Sequence, residues 1–218
     1  MRSEKSYFRY RIEFSKTSAL RFTSHLDTLR AWERTFRRAE LPLVYTQGFN
    51  PRPRINLSAA LPLGYTSECE LIDIWLMEEN QSNVLLERIR AVLPPGLDVR
   101  EVAQIDEQAP KLQQIIQAAE YYVLLDPFPS EENLKKQITQ LLESTKILRE
   151  RRGKTYDLRP RIEALEVRSC NGIPSLRMRL ATKEGFVGRP EEVLLALGLD
   201  PTLARIHRSS LFLQNPLN

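Results

Sequence analysis

The first patterned stretch of the chain, YFRYRIEF at residues 7–14, alternates with a period of two. Phe8, Tyr10, Ile12 and Phe14 fall on one face and Arg9, Arg11 and Glu13 on the other, which predicts a half-buried strand. From Ser24 the period lengthens to that of a helix. The Ser24 hydroxyl can cap free amides, and Asp27 three residues on makes an imperfect capping box. Leu26, Leu29, Trp32, Phe36 and Ala39 share one side and predict the buried stripe. RINLSAAL and ECELIDIWLM read as two strands. Ile72, Ile74 and Leu76 of the second point one way, and Leu71, Asp73 and Trp75 the other. A helix over residues 82–93 carries Leu85, Ile89 and Val92 on one side and stops at Pro94-Pro95-Gly96, before a strand over LDVREVAQI.

That order, β-α-β-β-α-β, is the split pattern of a ferredoxin-like sandwich. The second half repeats it less cleanly. A strand near 119–125 precedes a helix that Ser130 can cap, running to about Ser144. Strands or hairpins fill 146–182, with room for an extra strand and with Asn171-Gly172 as the strongest turn signal. Pro190 suits the first position of a short helix, and LARIHRSSLFL reads as the last strand. The expected fold class is therefore α+β, two tandem ferredoxin-like halves. The expected division is a first domain over 1–105, a linker over 106–112 containing DEQAPK, and a second domain over 113–218.

Charge divides this pattern further. The chain of 218 residues carries a net +4, but residues 1–67 hold 12 Lys/Arg against 5 Asp/Glu, residues 68–143 hold 6 against 15, and residues 144–218 hold 14 against 8. A polyanion would meet the two basic ends of the sequence rather than its acidic middle. No apolar run approaches the ~20 residues that cross a bilayer, so no membrane partner is expected. The two cysteines, Cys69 and Cys170, are too few for a disulfide scaffold. The plain expectation is a reduced, cytoplasmic protein.

Most of the candidate chemistry lies in residues 21–54, where seven arginines stand with one of the chain's two histidines. On the helical wheel Arg30, Arg34, Arg37 and Arg38 form a stripe separate from the apolar one, with Glu33 and Glu40 nearer its border. Guanidinium groups match phosphate or carboxylate and keep their charge. The stripe is either a binding face or a solvated one, with Arg37 paired to Glu33 and Arg34 to Glu33 or Asp27. The loop TQGFNPRPR follows. Gly48 permits a turn, and Pro51 and Pro53 stiffen the chain beyond it. Gln47, Phe49 and Asn50 at its tip could stack on and hydrogen-bond a base while Arg52 and Arg54 hold the backbone. Alternatively, Phe49 tucks into the core and the loop merely connects. In the second half, RERRGKTYDLRPR gathers Arg149, Arg151, Arg152, Lys154, Arg159 and Arg161 around Tyr156. This is a basic hairpin suited to tracking phosphates or to docking on an acidic protein.

Catalytic chemistry is poorly supplied. There is no C-x-x-x-C-x-x-C for a radical SAM cluster, no G-x-x-x-x-G-K-[ST] and no G-x-G-x-x-G, and His and Cys are too few and too far apart for zinc. No cofactor and no metal is expected. His25 is the weak catalytic candidate, as an acid or base in metal-free RNA cleavage; at the start of a helix it more commonly caps or packs. His207, in the last strand, reads as structural or surface-exposed. Asp73, Glu78 and Glu79 read as solvated or as partners of neighbouring arginines.

The stretch LRFTSHLDTLRAWERTFRRAELPLVYTQGFNPRPRINLSAALPLGYTSECELIDI, with RGKTYDLRPRIEAL and GRPEEVL further on, resembles the radical-SAM-associated family DUF2344 over most of the chain. Thr17-Ser18 stands where that family usually has a glycine turn. The resemblance implies company: members stand alone or fused behind a cobalamin-binding radical SAM domain, and their genes often neighbour those of ribonuclease E/G. Together these readings predict a non-catalytic adaptor or regulator in bacterial RNA metabolism. It would bind RNA, a ribonuclease E/G-type partner, or both, through the arginine face. The ribonuclease association comes from the resemblance alone. The alternatives are a substrate-presenting accessory of a cobalamin-binding radical SAM protein and, further off, a metal-independent endoribonuclease.

Overall fold

The computed structural model describes residues 7–170, 173–183 and 185–214. The chain separates into two compact units, one ending at Ile115 and the other spanning Ile116–Gln214. In the first, β1 (Phe8–Lys16) leads through a 3-10 turn to α1 (His25–Arg38). Then come β2 (Ile55–Leu57), β3 (Thr66–Leu76), α2 (Ser82–Arg90), β4 (Leu97–Ile105) and a single helical turn, α3 (Leu112–Ile115). β3 pairs antiparallel with β1 and with β2, and β1 pairs antiparallel with β4. The order β2-β3-β1-β4 is that of the ferredoxin-like sandwich.

The second unit repeats it. β5 (Ile116–Leu125) and α4 (Glu131–Glu143) come first, then a separate hairpin of β6 (Leu148–Arg151) and β7 (Lys154–Asp157). The chain continues with β8 (Ile162–Cys170), β9 (Ile173–Lys183), the two-residue β10 (Phe186–Val187), α5 (Pro190–Ala196) and β11 (Ala204–Leu213). Antiparallel pairing of β8 with β9, β9 with β5 and β5 with β11 gives the same sheet order. The inserted hairpin fills the room for an extra strand. The turn expected at Asn171-Gly172 lies outside the described residues.

Alternation in β1 buries Tyr10, Ile12 and Phe14 under α1, where Trp32 meets Phe14 edge-on at 4.8 Å and stacks on Phe36 at 5.0 Å. The helical stripe is rotated from the expected one. Leu26 is 63% exposed, while Thr28 and Thr35 are buried. Each threonine turns its hydroxyl back onto its own helix, Thr28 Oγ1 donating to Ser24 O and Thr35 Oγ1 to Ala31 O, both at 2.9 Å. Burial then leaves neither of these two hydroxyls unsatisfied. At the start of α1 the Ser24 hydroxyl accepts from the Asp27 amide as expected, whereas Ser130 makes no side-chain cap on α4. RINLSAAL is strand only over its first half, at β2. The turn at Thr17-Ser18 lies beside the start of the neighbouring strand, since Lys16 pairs with Leu97. Thr17 N donates to Gly96 O, and a Cβ on Gly96 (φ +98°) would lie 2.6 Å from Leu20 Cγ.

The other face of the β1/β3 pair carries charge, and it too is buried. Asp73, at 0% exposure, accepts from Arg11 Nε at 2.7 Å and from Arg9 Nη2 at 2.5 Å. Arg9 also donates to the carbonyls of Glu107, Ala109 and Pro110, tying down the segment that follows β4. Asn56 and Gln113 continue this cover. Their side chains bond each other at 3.1 Å, and Gln113 Nε2 donates to Leu57 O at 2.8 Å. Removing one member of a buried ion pair costs about 3–5 kcal/mol, because the other charge stays buried without a partner. Asp73→Ala is expected to lose stability of that order in urea unfolding. A loss under about 1 kcal/mol would mean the arginines find other acceptors.

Candidate nucleic-acid interface

The arginine stripe and the proline-rich loop come together in the first unit. α1 ends where Glu40 turns to positive φ (+53°) and Arg88 Nη2 donates to the carbonyls of Ala39 and Glu40 at 2.7 and 2.8 Å. The chain then runs alongside β3, with Val44 N donating to Trp75 O at 2.8 Å. Beyond Val44 it doubles back as an irregular hairpin. Arg54 N bonds Val44 O at 2.7 Å, Tyr45 bridges Pro53, and Thr46 N bonds Arg52 O at 2.8 Å. The Thr46 hydroxyl accepts from Arg52 N at 3.1 Å and closes the stem. Five residues, Gln47 to Pro51, remain as the tip, and Gly48 turns it at φ +137°. All five are exposed, and Phe49 is 106% exposed. The alternative in which Phe49 enters the core is overturned.

Between helix and loop lies an open cleft of about 530 Å³. Leu26, Leu29, Arg30, Glu33 and Arg37 line it from α1, and Tyr45, Pro51, Arg52 and Pro53 from the loop. Leu26 and Tyr45 were not among the expected site residues. Leu26 was assigned to the core, and Tyr45 reaches the cleft only because the stem sets it opposite Pro53.

The arginines differ in how they are engaged. Arg30 pairs with Asp27 at 3.2 Å on the surface, and Arg38 Nη2 donates to Val92 O at 2.9 Å. Among the described residues, the side chains of Arg34, Arg37 and Glu33 have no hydrogen-bond or ion-pair partner, and the guanidinium of Arg52 has none either. The pairs expected for a merely solvated face, Arg37 or Arg34 with Glu33, do not form. Arg54 is turned away from the cleft. It stacks over Trp75 at 4.4 Å and pairs with Glu107 at 3.4 Å, while Arg9 lies over the same ring at 4.8 Å. His25 lines a different, much smaller pocket with Lys16, Thr28 and Glu70, and it is not among the residues of the cleft.

The basic run of the second unit is split by its fold. Arg152 (φ +51°) and Gly153 (φ +73°) form the two-residue turn of the β6–β7 hairpin, with both φ angles positive as a twisted hairpin needs. This puts Arg151, Arg152 and Lys154 at its tip. The other arginines of the run hold structure. Arg149 pairs with Glu192 at 2.9 Å, and Arg159 donates to Leu142 O at 2.9 Å and to Ile162 O at 3.3 Å. Arg161 lies over the rings of Tyr156 and Phe186 at 4.4 and 4.8 Å, so the aromatic ring inside the basic run is engaged within the protein.

The fold and this surface define a tandem ferredoxin-like protein with a basic, aromatic-tipped cleft in its first unit. The sequence matches the family described as "Uncharacterized protein conserved in bacteria (DUF2344)" over residues 9–190, and the chain belongs to that family. No curated protein matches it. Among solved structures it is similar to the archaeal box H/ACA sRNP Nop10-Cbf5 complex, at 12% identity and TM-score 0.43, covering 93% of this chain and 48% of that one. It is similar also to a Cbf5-Nop10-Gar1 complex, at 12% identity and TM-score 0.48, covering 94% and 50%. The chain thus spans about half the length of either. No helix of the described residues is long and apolar enough to cross a membrane, and none of their His, Cys, Asp and Glu groups could hold a metal ion.

Two outcomes follow from this geometry. A side chain with no core contact contributes little to stability, so Phe49→Ser is expected to change unfolding free energy by less than about 0.5 kcal/mol, against about 3–5 kcal/mol for Phe36→Ala. Chemical denaturation of the two variants checks this. At the base of the hairpin, the amides of Ile147 and Arg159 donate to Asp157 at 2.9 and 3.0 Å and hold its carboxyl below its ordinary range. A depressed pKa means that this contribution is in force above the ordinary carboxylate range and fades as pH falls through the lowered value. A carbon-detected NMR titration should place the Asp157 midpoint below that of an unstructured Asp; a midpoint at or above it would contradict the hairpin base.

Proposed function

We propose that this protein is a non-catalytic RNA-binding regulator or adaptor of bacterial RNA metabolism, which holds single-stranded RNA in the cleft between α1 and the loop. The observation that carries this reading is Phe49, a fully exposed aromatic ring at the tip of a stem-closed loop whose flank forms, with α1, a cleft lined by Arg37 and Arg52, two arginines with no acidic partner among the described residues. Water-exposed aromatic area is unfavourable unless something covers it. Every base offers a face to stack on, and such stacking is worth about 1–3 kcal/mol per base. Arg37 and Arg52 in the cleft lining, with Arg34 on the same stripe of α1, supply fixed positive charge for the backbone, and Arg30 shares its charge with Asp27. The tip of the β6–β7 hairpin, with Arg151, Arg152 and Lys154, is a separate basic surface of the second unit. A ribonuclease of the E/G type as the partner whose RNA is held rests on the family resemblance only.

The test is binding of a fluorescent ten-nucleotide single-stranded RNA across a salt series. Four phosphate contacts on a single strand give a log–log slope of about −3. Arg34→Glu/Arg37→Glu is expected to abolish binding, and Phe49→Ala to weaken it about tenfold without changing stability. No binding at low salt, or binding unaffected by either variant, would sink the reading. Capture of a protein at this face that survives nuclease and ~0.3 M salt would replace it with a protein-docking surface.

A further inference from the structure

Glu33 does not fit a surface made only to hold phosphates. It is a half-buried carboxylate in the wall of a cleft otherwise lined by arginines and apolar side chains. Arg30 and Arg37 stand three and four residues away on the same helix, at the usual spacing for an ion pair. Arg30 is taken by Asp27 instead, and among the described residues Glu33 is left with no partner. A carboxylate beside a polyanion is repelled, unless the polyanion presents donors to it.

We propose that Glu33 makes the cleft selective for guanine; this rests on the RNA-binding reading given above. An ionised carboxylate only accepts hydrogen bonds, through two oxygens side by side. Of the four RNA bases, guanine alone has two adjacent donors on its Watson–Crick edge, the ring N1–H and the exocyclic 2-amino group, and these match two carboxylate oxygens. Adenine sets an acceptor nitrogen beside its single amino group, cytosine does the same, and uracil flanks its one N–H with two carbonyls. Each of these brings a lone pair against the carboxylate. Leu26 and Leu29 on one side and Tyr45 and Pro53 on the other give a flat base apolar walls, and about 530 Å³ is room for one nucleotide. Arg37 and Arg52, beside Glu33 in the lining, are placed to take the phosphates of that nucleotide.

The experiment measures fluorescence anisotropy with uridine octamers that carry one central guanine, adenine, cytosine or inosine, the last lacking the 2-amino group. Wild-type protein is expected to bind the guanine octamer about tenfold more tightly than the adenine or cytosine one, with inosine between. Glu33 has no structural partner, so Glu33→Gln should fold normally, a point checked by its thermal unfolding. The variant is expected to bring the guanine preference to within about threefold while binding to plain oligouridine stays equal or improves, because a repelling charge has gone. Salt-sensitive binding with no guanine preference, or a preference that Glu33→Gln leaves intact, overturns this inference and leaves the RNA-binding reading standing. Failure to bind any octamer defeats that reading and this inference together.

Discussion

The cleft exists because the chain between Pro42 and Arg54 is fastened to β3 at both ends. Val44 and Arg54 each bond the main chain of Trp75, and Met77 N reaches back to Pro42 O. Two guanidiniums, those of Arg9 and Arg54, lie over the Trp75 ring, with the Asp73 carboxylate two residues along the strand neutralising the first of them. A long connection from a helix to a strand would ordinarily be a mobile excursion. Here only its tip is without main-chain support. The buried charges on the outer side of the sheet and the exposed ring at the loop tip are parts of one arrangement, since what fixes Trp75 also fixes where the loop begins and ends.

That arrangement explains where a ligand can be received. In an open-faced ferredoxin-like sheet the side away from the helices is a natural platform. In the first unit that side is filled by Arg9, Arg11, Asp73 and Trp75, and covered by the segment that leads to α3. What remains accessible and basic is the solvent side of α1 and the loop packed beside it. Two of its arginines, Arg37 and Arg38, also stand in the last turn of the helix, where positive charge meets the negative end of the helix dipole.

The order of elements in the first unit could be read from alternation and turn residues, because a strand with one buried face advertises it with a period of two. In the second unit residues 146–182 showed only as strands or hairpins, and the separate β6–β7 hairpin only as room for an extra strand. β4 coincides with the expected LDVREVAQI, and Pro190 begins α5 as its fixed φ suggests. The rotation of the buried side of α1 could not be read. Thr28 and Thr35 count as polar in any pattern, and only their bonds to carbonyls one turn back make them suitable for the core. The arginines of the site were visible as a group, but not as individuals. Whether Arg54, Arg159 or Arg161 faces solvent or a carbonyl depends on partners up to dozens of residues away, and a guanidinium with five donors accepts many such partners. Tyr45 and Glu33 became cleft residues only when the register of the loop stem was known.

Arg9 and Arg11 sit two positions apart on the same strand, on the same face, against the same carboxylate, and they are not equally replaceable. Among the described residues the side chain of Arg11 serves Asp73 alone, a task the single ammonium of lysine can share in. Arg9 divides its donors between Asp73 and three main-chain carbonyls in different directions, while keeping its plane over an indole ring. Only a flat, branched cation does all of this at once. Tolerance to substitution along β1 is therefore set by the geometry of what each arginine grasps, and two residues of the same kind on one strand carry very different freedom to vary.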